Sequence, residues 1–204
     1  MLKFEKQLFE KGFTKIAGAD EVGRGCLAGD VYTGVVFIDS LPSKIPEKII
    51  IRDSKKMTAK QRLESSKWIK DNFLWAIGIA SVEEINEYGI VGATNKAYRR
   101  AIKKINLEIE HLLTDAFYIP DIKDLDKEKQ TPIIKGDNQS FLIASASIIA
   151  KVERDAYMTQ ISQKDQYRVY LWDKNKGYGT LEHRNAIKEF GITRLHREKF
   201  VSNY

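Results

Sequence analysis

Asp20 and Glu21 stand side by side at the end of an apolar run, Ile16-Ala17-Gly18-Ala19. Two buried carboxylates in contact repel each other unless a cation is present. The pair therefore reads in two ways, as an exposed acidic strand end or as half of a metal site. Asp115 interrupts a second apolar run, Leu112-Leu113-Thr114-Asp115-Ala116-Phe117. An aspartate is disfavoured in a strand and costly to bury alone, so it caps, pairs with a lysine or binds metal. Asp137 follows Gly136 and precedes a long helical pattern. There it reads as a helix N-cap, as a fourth carboxylate kept ionised by the helix dipole, or as both. Asp53 reads as a turn acid with a basic tail, suited to substrate contact rather than catalysis. Asp155, next to Arg154, reads as its ion-pair partner.

Four carboxylates from strand ends and a helix start would form a hard, oxygen-rich site, suited to Mg²⁺ or Mn²⁺ rather than Zn²⁺. Two such ions about 4 Å apart can activate a water and stabilise the leaving oxygen of a phosphodiester. His111, His183 and His196 are scattered along the sequence without metal-ligand spacing, and Cys26 is the only cysteine. There is no GxSxG elbow and no Walker loop. Gly23-Arg24-Gly25 directly follows the acid pair. It reads as a tight turn, or as a loop whose backbone N–H groups approach a ligand.

The elements that must position these groups follow from patterning. Residues 13–19 read as a strand ending at Asp20, paired as a hairpin with a β-branched strand at 31–38. Thr58 and Gln61 have capping-box spacing, so a helix runs over 58–70. Residues 74–81 predict a third strand, and 82–88 a short helix stopped by Gly89. Tyr98, Ile102, Ile105 and Ile109 mark one face of an amphipathic helix over 93–109. Residues 112–119 predict a fourth strand and 132–135 a fifth. A long helix is expected from Asn138 to about Gln163, and another over 180–190. Strands first, then strands alternating with helices, predict a mixed α/β sheet.

A chain of 204 residues without a Pro/Gly/Ser-rich linker fits one domain, 1–204. The net charge of +6 suits a polyanionic partner, or plain solubility. Residues 51–100 hold ten Lys/Arg against six Asp/Glu, and 151–204 eleven against seven, so the surplus flanks most of the candidate carboxylates. No leader and no membrane-spanning stretch are expected, and the expected location is cytoplasmic.

Five blocks, in order, resemble the ribonuclease HII family. They are Ala17–Gly29 (AGADEVGRGCLAG), Asp53-Ser54-Lys55-Lys56-Met57-Thr58, Lys135-Gly136-Asp137 with 143–155, Lys176-Gly177-Tyr178-Gly179-Thr180 with His183, and His196-Arg197 with Phe200. The resemblance implies a ribonuclease H-like five-stranded sheet flanked by helices, with a helical C-terminal portion. It also implies endonuclease action on RNA·DNA hybrids and on single ribonucleotides embedded in duplex DNA. Carried over by position, Asp20, Glu21, Asp115 and Asp137 would be catalytic and bind two divalent ions, Mn²⁺ or Mg²⁺. Gly23, Arg24 and Gly25 would read the 2′-OH, and Tyr178 would stack near the sugar after the ribonucleotide. Lys55, Asn95 and Lys96 would contact the nucleic-acid backbone. The expected state is a monomer, with a sliding clamp as an open question. Only nineteen residues precede Asp20, too few for the extra N-terminal domain of the ribonuclease HIII class.

The chain departs from the family pattern at Asp30, where proline is usual, at Ala116, where glycine is common, at Asn175, where histidine is frequent, and at Lys199, where serine stands before Phe200. From the residues alone, a metal-dependent phosphatase, a nuclease of another substrate type and a non-catalytic nucleic-acid-binding module remain open.

Overall fold

The computed structural model describes residues 1–202. Its centre is a mixed five-stranded sheet of β1 (Ile16–Val22), β2 (Val31–Ile38), β3 (Leu74–Ala80), β4 (His111–Asp115) and β5 (Gln130–Ile133), in the order β3-β2-β1-β4-β5. β1 and β2 form the expected antiparallel hairpin, in register from Ile16↔Ile38 to Val22↔Tyr32, and β3 extends it antiparallel. β4 and β5 join in parallel on the other side.

Alternation along β1 divides the core. On one face Ile16 packs with Leu142, Ile143, Ala146 and Ile149 of α4 (Phe141–Ser162). On the other, Ala17 and Ala19 pack with Tyr98, Ala101 and Ile105 of α3 (Val82–Ile105). Three strand glycines let these helices sit directly on the sheet. A Cβ on Gly18 would stand 2.4 Å from the Leu142 Cβ, one on Gly34 2.3 Å from the Ala146 carbonyl oxygen, and one on Gly78 1.9 Å from the Ala97 carbonyl oxygen.

α1 (Lys3–Glu10) lies across the start of α4, where the buried Glu5 carboxylate accepts hydrogen bonds from the Ser140 hydroxyl (2.6 Å) and the Leu142 N–H (3.0 Å). α2 (Ala59–Asn72) begins at Thr58 with the expected capping box. Beyond α4, a 3₁₀ turn (Asp165–Tyr170), α5 (Trp172–Asn175), α6 (Leu181–Phe190) and α7 (Glu198–Val201) gather around Trp172 and cover Leu27 and Ala28.

Several element bounds differ from the sequence expectation. β1 does not end at Asp20 but stays paired with β2 through Val22. α3 breaks at the predicted stop, Gly89, whose backbone is non-helical (φ 71°, ψ 166°), and resumes as a second helical stretch that ends at Ile105 before Asn106 in the left-handed conformation, so Ile109 lies beyond the helix. β4 ends at Asp115 rather than Ile119, because Ala116 takes φ 66° and the Thr114 hydroxyl donates to the Phe117 carbonyl at 2.7 Å. α4 begins at Phe141, three residues later than expected, with Ser140 as its N-cap.

The Gly78 contact yields a direct test. Gly78→Ala forces a methyl group into the α3 backbone and should destabilise the protein by at least about 1–3 kcal/mol, read as a lower denaturant midpoint. An unchanged midpoint would mean that the helix does not sit this close.

Candidate active site

The carboxylates sit where the parallel strands part. β1 pairs with β4 only as far as Ala19↔Thr114. At the next residues Asp20 and Asp115 leave a crevice at the C-terminal ends of the strands, a common ligand position in α/β sheets. The connection after β5 brings Asp137 to the same place on a 3₁₀ turn, Gly136–Asn138. The resulting cleft, about 230 Å³, is lined by Asp20, Glu21, Asp115 and Asp137, by Gly23, Arg24 and Gly25, and by Lys55, Ser147, Lys151 and Tyr178 among others.

Each acid is held by a different part of the frame. Asp20 faces α4, where Ser147 bonds its carboxylate, and its Oδ1 accepts from the Glu21 N–H at 2.7 Å. Glu21 alternates to the opposite face. It accepts from the Tyr98 hydroxyl of α3 and from Arg24 Nη1 at 3.2 Å. Asp115 Oδ1 accepts from the Gly136 N–H at 2.7 Å, which ties the end of β4 to the Asp137 turn. Asp137 Oδ1 accepts from Asn138 Nδ2 at 2.7 Å. It is not the N-cap of α4, so the sequence reading of a cap stabilised by that helix dipole is corrected.

Burial, then the neighbouring charges of Glu21 and Asp115, push the Asp20 carboxyl well above the usual range. Asp115 and Asp137 are raised as well, first by burial and then partly by nearby acids, with Asp53 acting on both. Arg24 on Glu21 and the charge of Lys55 near Asp115 and Asp137 offset this crowding only in part, since all three aspartates stay raised, and the carboxylate oxygens are hard donors. That donor set fits a divalent cation such as Mg²⁺ or Mn²⁺. Among the described residues no three acids, histidines or cysteines are drawn tightly around one point. The carboxylates line the cleft rather than converge, as mutually repelling groups do.

The Gly-rich loop rests on two fully buried arginines. Arg154 of α4 donates from Nε to the Asp30 carbonyl (2.9 Å), from Nη2 to that of Ala28 (3.1 Å) and from Nη1 to that of Lys176 (2.9 Å). Arg197 donates from Nε and Nη2 to the Gly29 carbonyl (3.0 and 2.6 Å) and from Nη1 to that of Arg24 (2.8 Å). Gly23, at φ 97°, lies so close to Arg154 that a Cβ would stand 2.2 Å from its Nε. Arg154 is therefore committed to carbonyls. The expected Arg154–Asp155 pair is replaced by Lys151–Asp155 at 2.8 Å.

Lys55 lines the cleft, held on a turn capped by Asp53, whose Oδ1 accepts from the Lys55 N–H at 2.9 Å. Asn95 lies outside it, lining an adjoining cavity of about 730 Å³ that shares Arg24. Lys96 is farther along α3, its ammonium 3.1 Å from the Tyr88 ring centroid. Asp30 bonds the first turn of α3, accepting from the Val82 N–H at 3.0 Å, beside the N-cap Ser81. Ala116 occupies a left-handed position where glycine would be unstrained. Sequence reasoning missed Ser147 and Lys151 as cleft groups and Tyr98 as the partner of Glu21. Tyr98 marks one face of its amphipathic helix, and Ser147 and Lys151 lie inside the 143–155 stretch that carries the resemblance.

A family model described as Ribonuclease HII matches residues 17–203. The chain belongs to the ribonuclease HII family. The ribonuclease HII of Pelagibacter ubique is 44% identical over 91% of this chain and 95% of its own length. That of Wolbachia pipientis wMel is 46% identical over 91% and 89%. Among solved structures, a ribonuclease HII from Archaeoglobus fulgidus in complex with PCNA superposes with a TM-score of 0.71 at 24% identity, covering 93% of this chain and 95% of its own. A ribonuclease HIII in complex with Mn²⁺ superposes at 0.70 and 18% identity, covering 92% and 68%. These likenesses establish the ribonuclease H-like fold. Membership of the ribonuclease HII family makes the chain a ribonuclease H, an endonuclease of a class that uses divalent metals.

The electrostatics of this cleft carry a prediction. With a raised folded-state pKa, Asp20 favours the fold at low pH, and that contribution is lost as pH rises through the folded value. Without divalent ions, Asp20→Asn should therefore be more stable than the parent at neutral pH, by on the order of 1–2 kcal/mol. Mn²⁺ should raise the melting temperature of the parent and leave the variant nearly unchanged. Equal responses in both proteins would contradict the site.

Proposed function

We propose that this ribonuclease HII hydrolyses the phosphodiester on the 5′ side of ribonucleotides, both in RNA·DNA hybrids and at single ribonucleotides embedded in duplex DNA. The products are 5′-phosphate and 3′-OH ends. The observation that carries the reading is one cleft in which four carboxylates meet the Gly23–Gly25 loop and Tyr178.

In this reading Asp20, Glu21, Asp115 and Asp137 hold two divalent ions, Mg²⁺ or Mn²⁺. Such ions supply an activated water nucleophile and charge neutralisation at the leaving oxygen. The chain's own groups do the rest. Ser147 and Tyr98 fix the orientation of Asp20 and Glu21, on opposite faces of β1. The backbone of Gly23, Arg24 and Gly25 reads the 2′-OH, the group that separates RNA from DNA. Its support by Arg154 and Arg197 keeps that reader rigid. Tyr178 stacks against the sugar that follows the ribonucleotide and so reports the RNA–DNA junction. Lys55 contacts the scissile strand near the acids, while Asn95 and Lys96 on α3 contact the duplex backbone farther out.

The same reading treats 1–204 as one catalytic domain with a helical C-terminal extension, acting as a monomer in ribonucleotide excision in the cytoplasm. Among the described residues no helix is long and apolar enough to cross a membrane. A sliding clamp is the protein partner we propose, by analogy with the archaeal relative solved with PCNA.

With Mg²⁺ or Mn²⁺, a DNA duplex carrying one ribonucleotide should be cut on its 5′ side, and an all-DNA duplex should stay intact. Asp20→Asn should lower cleavage by roughly 10³-fold, the equivalent of several kcal/mol of lost metal assistance, while folding and duplex binding survive. Equal cutting of both duplexes would reject the 2′-OH reader, and full activity of Asp20→Asn would reject the carboxylate assignment.

A further inference from the structure

His183 and His196, scattered in the sequence, meet inside the C-terminal helical portion. Both are fully buried, with Trp172 beside them. His183 Nε2 lies 3.0 Å from Trp172 Nε1 and 3.2 Å from His196 Nε2. An indole N–H only donates, so His183 Nε2 carries no proton and accepts from both neighbours. The proton of His183 is then on Nδ1, which donates to the Tyr178 carbonyl at 2.9 Å. His196 is fixed in the same way. Its Nδ1 accepts from the Thr193 N–H at 2.9 Å, which leaves its proton on Nε2, aimed at His183. The chain of donors runs from Thr193 through His196 to His183, with Trp172 joining there, and ends on the backbone of Tyr178.

No position in this chain accepts a further proton without breaking a bond. The groups that face the two rings are Trp172 of α5, Tyr170 of the 3₁₀ turn, the Tyr178 carbonyl and Thr193. Burial lowers both histidines, and His196 falls to about 4 through burial and then the charge of His183. Burial outweighs the hydrogen bonds to the Tyr178 and Thr193 backbone, which act upward.

The pair also links two segments that hold the Gly-rich loop. Leu27 N–H donates to the Gly177 carbonyl at 2.8 Å, one residue before Tyr178. Gly29 N–H donates to that of Leu195, and Arg197 N–H to that of Leu27, each at 2.8 Å, on either side of His196.

We propose that His183 and His196 form a neutral positioning pair that fixes the Tyr178 backbone at the mouth of the carboxylate cleft and thereby sets discrimination at the ribonucleotide–DNA junction. The inference deepens the role given above to Tyr178 and rests on it.

Two measurements test it. Nitrogen NMR of the histidine rings in the intact protein should show His183 protonated on Nδ1 and His196 on Nε2. Both should remain neutral well below the ordinary histidine value of 6.5. Either ring in the opposite tautomer, or titrating near 6.5, overturns the pair. The second compares kcat/KM on a single-ribonucleotide duplex with kcat/KM on a continuous hybrid. His183→Leu should lower that ratio about 10- to 100-fold, as expected for a slightly misplaced substrate contact. His183→Asn keeps a donor near the Nδ1 position and should recover most of it. A loss that is equal on both substrates, or absent, overturns the positioning role. Tyr178→Ala separates the two claims. If it shifts the ratio and His183→Leu does not, the pair is wrong and the reading of Tyr178 stands. If Tyr178→Ala leaves the ratio unchanged, the reading of Tyr178 falls and the junction role of the pair falls with it.

Discussion

The close approach of α4 to the centre of the sheet is the constraint on which the site depends. Gly18 and Gly34 remove the side chains that would hold the helix away, and Leu142 and Ala146 occupy the space. At that separation one helix serves several parts of the site. Ser140 at its start adjoins the Asp137 turn, Ser147 reaches Asp20, Lys151 lines the cleft, and Arg154 lies under the Gly-rich loop. A helix carried on larger strand residues would shift all of these together.

The cleft is built against electrostatic preference. Asp20 is buried beside Glu21 and Asp115, and each acid raises its resistance to ionisation. Two arginines are buried nearby and bonded to loop carbonyls. Buried charge of this kind destabilises a fold unless it is satisfied or used. The arginines are satisfied by backbone oxygens. In the proposed reading the carboxylates would be satisfied by entering cations, which would couple metal binding to stability as well as to chemistry.

Much of this was legible in the sequence. The β1–β2 hairpin, the mixed character of the sheet and the Thr58 capping box followed from local patterning, and the gathering of the four acids followed from the resemblance in block order. What was not legible depends on tertiary contact. Arg154 next to Asp155 invites an ion pair, but helical geometry points them apart, and Asp155 finds Lys151 one turn back. Tyr98 has the spacing of a core residue and is one; only the strand opposite it shows that its hydroxyl meets Glu21. His183 and His196 carry no motif that joins them in the sequence, and their partnership exists only once α6 and the segment after it fold onto Trp172. The helix start at Phe141 rather than Asn138 was decided by Ser140 and Glu5, 135 residues apart.

The most direct test of the central claim is the location of the metal. Anomalous diffraction from crystals soaked in Mn²⁺ should place the ions in the cleft bounded by Asp20, Glu21, Asp115 and Asp137, and the peaks should vanish in Asp20→Asn. Mn²⁺ bound elsewhere, or peaks that persist unchanged in that variant, would contradict the account.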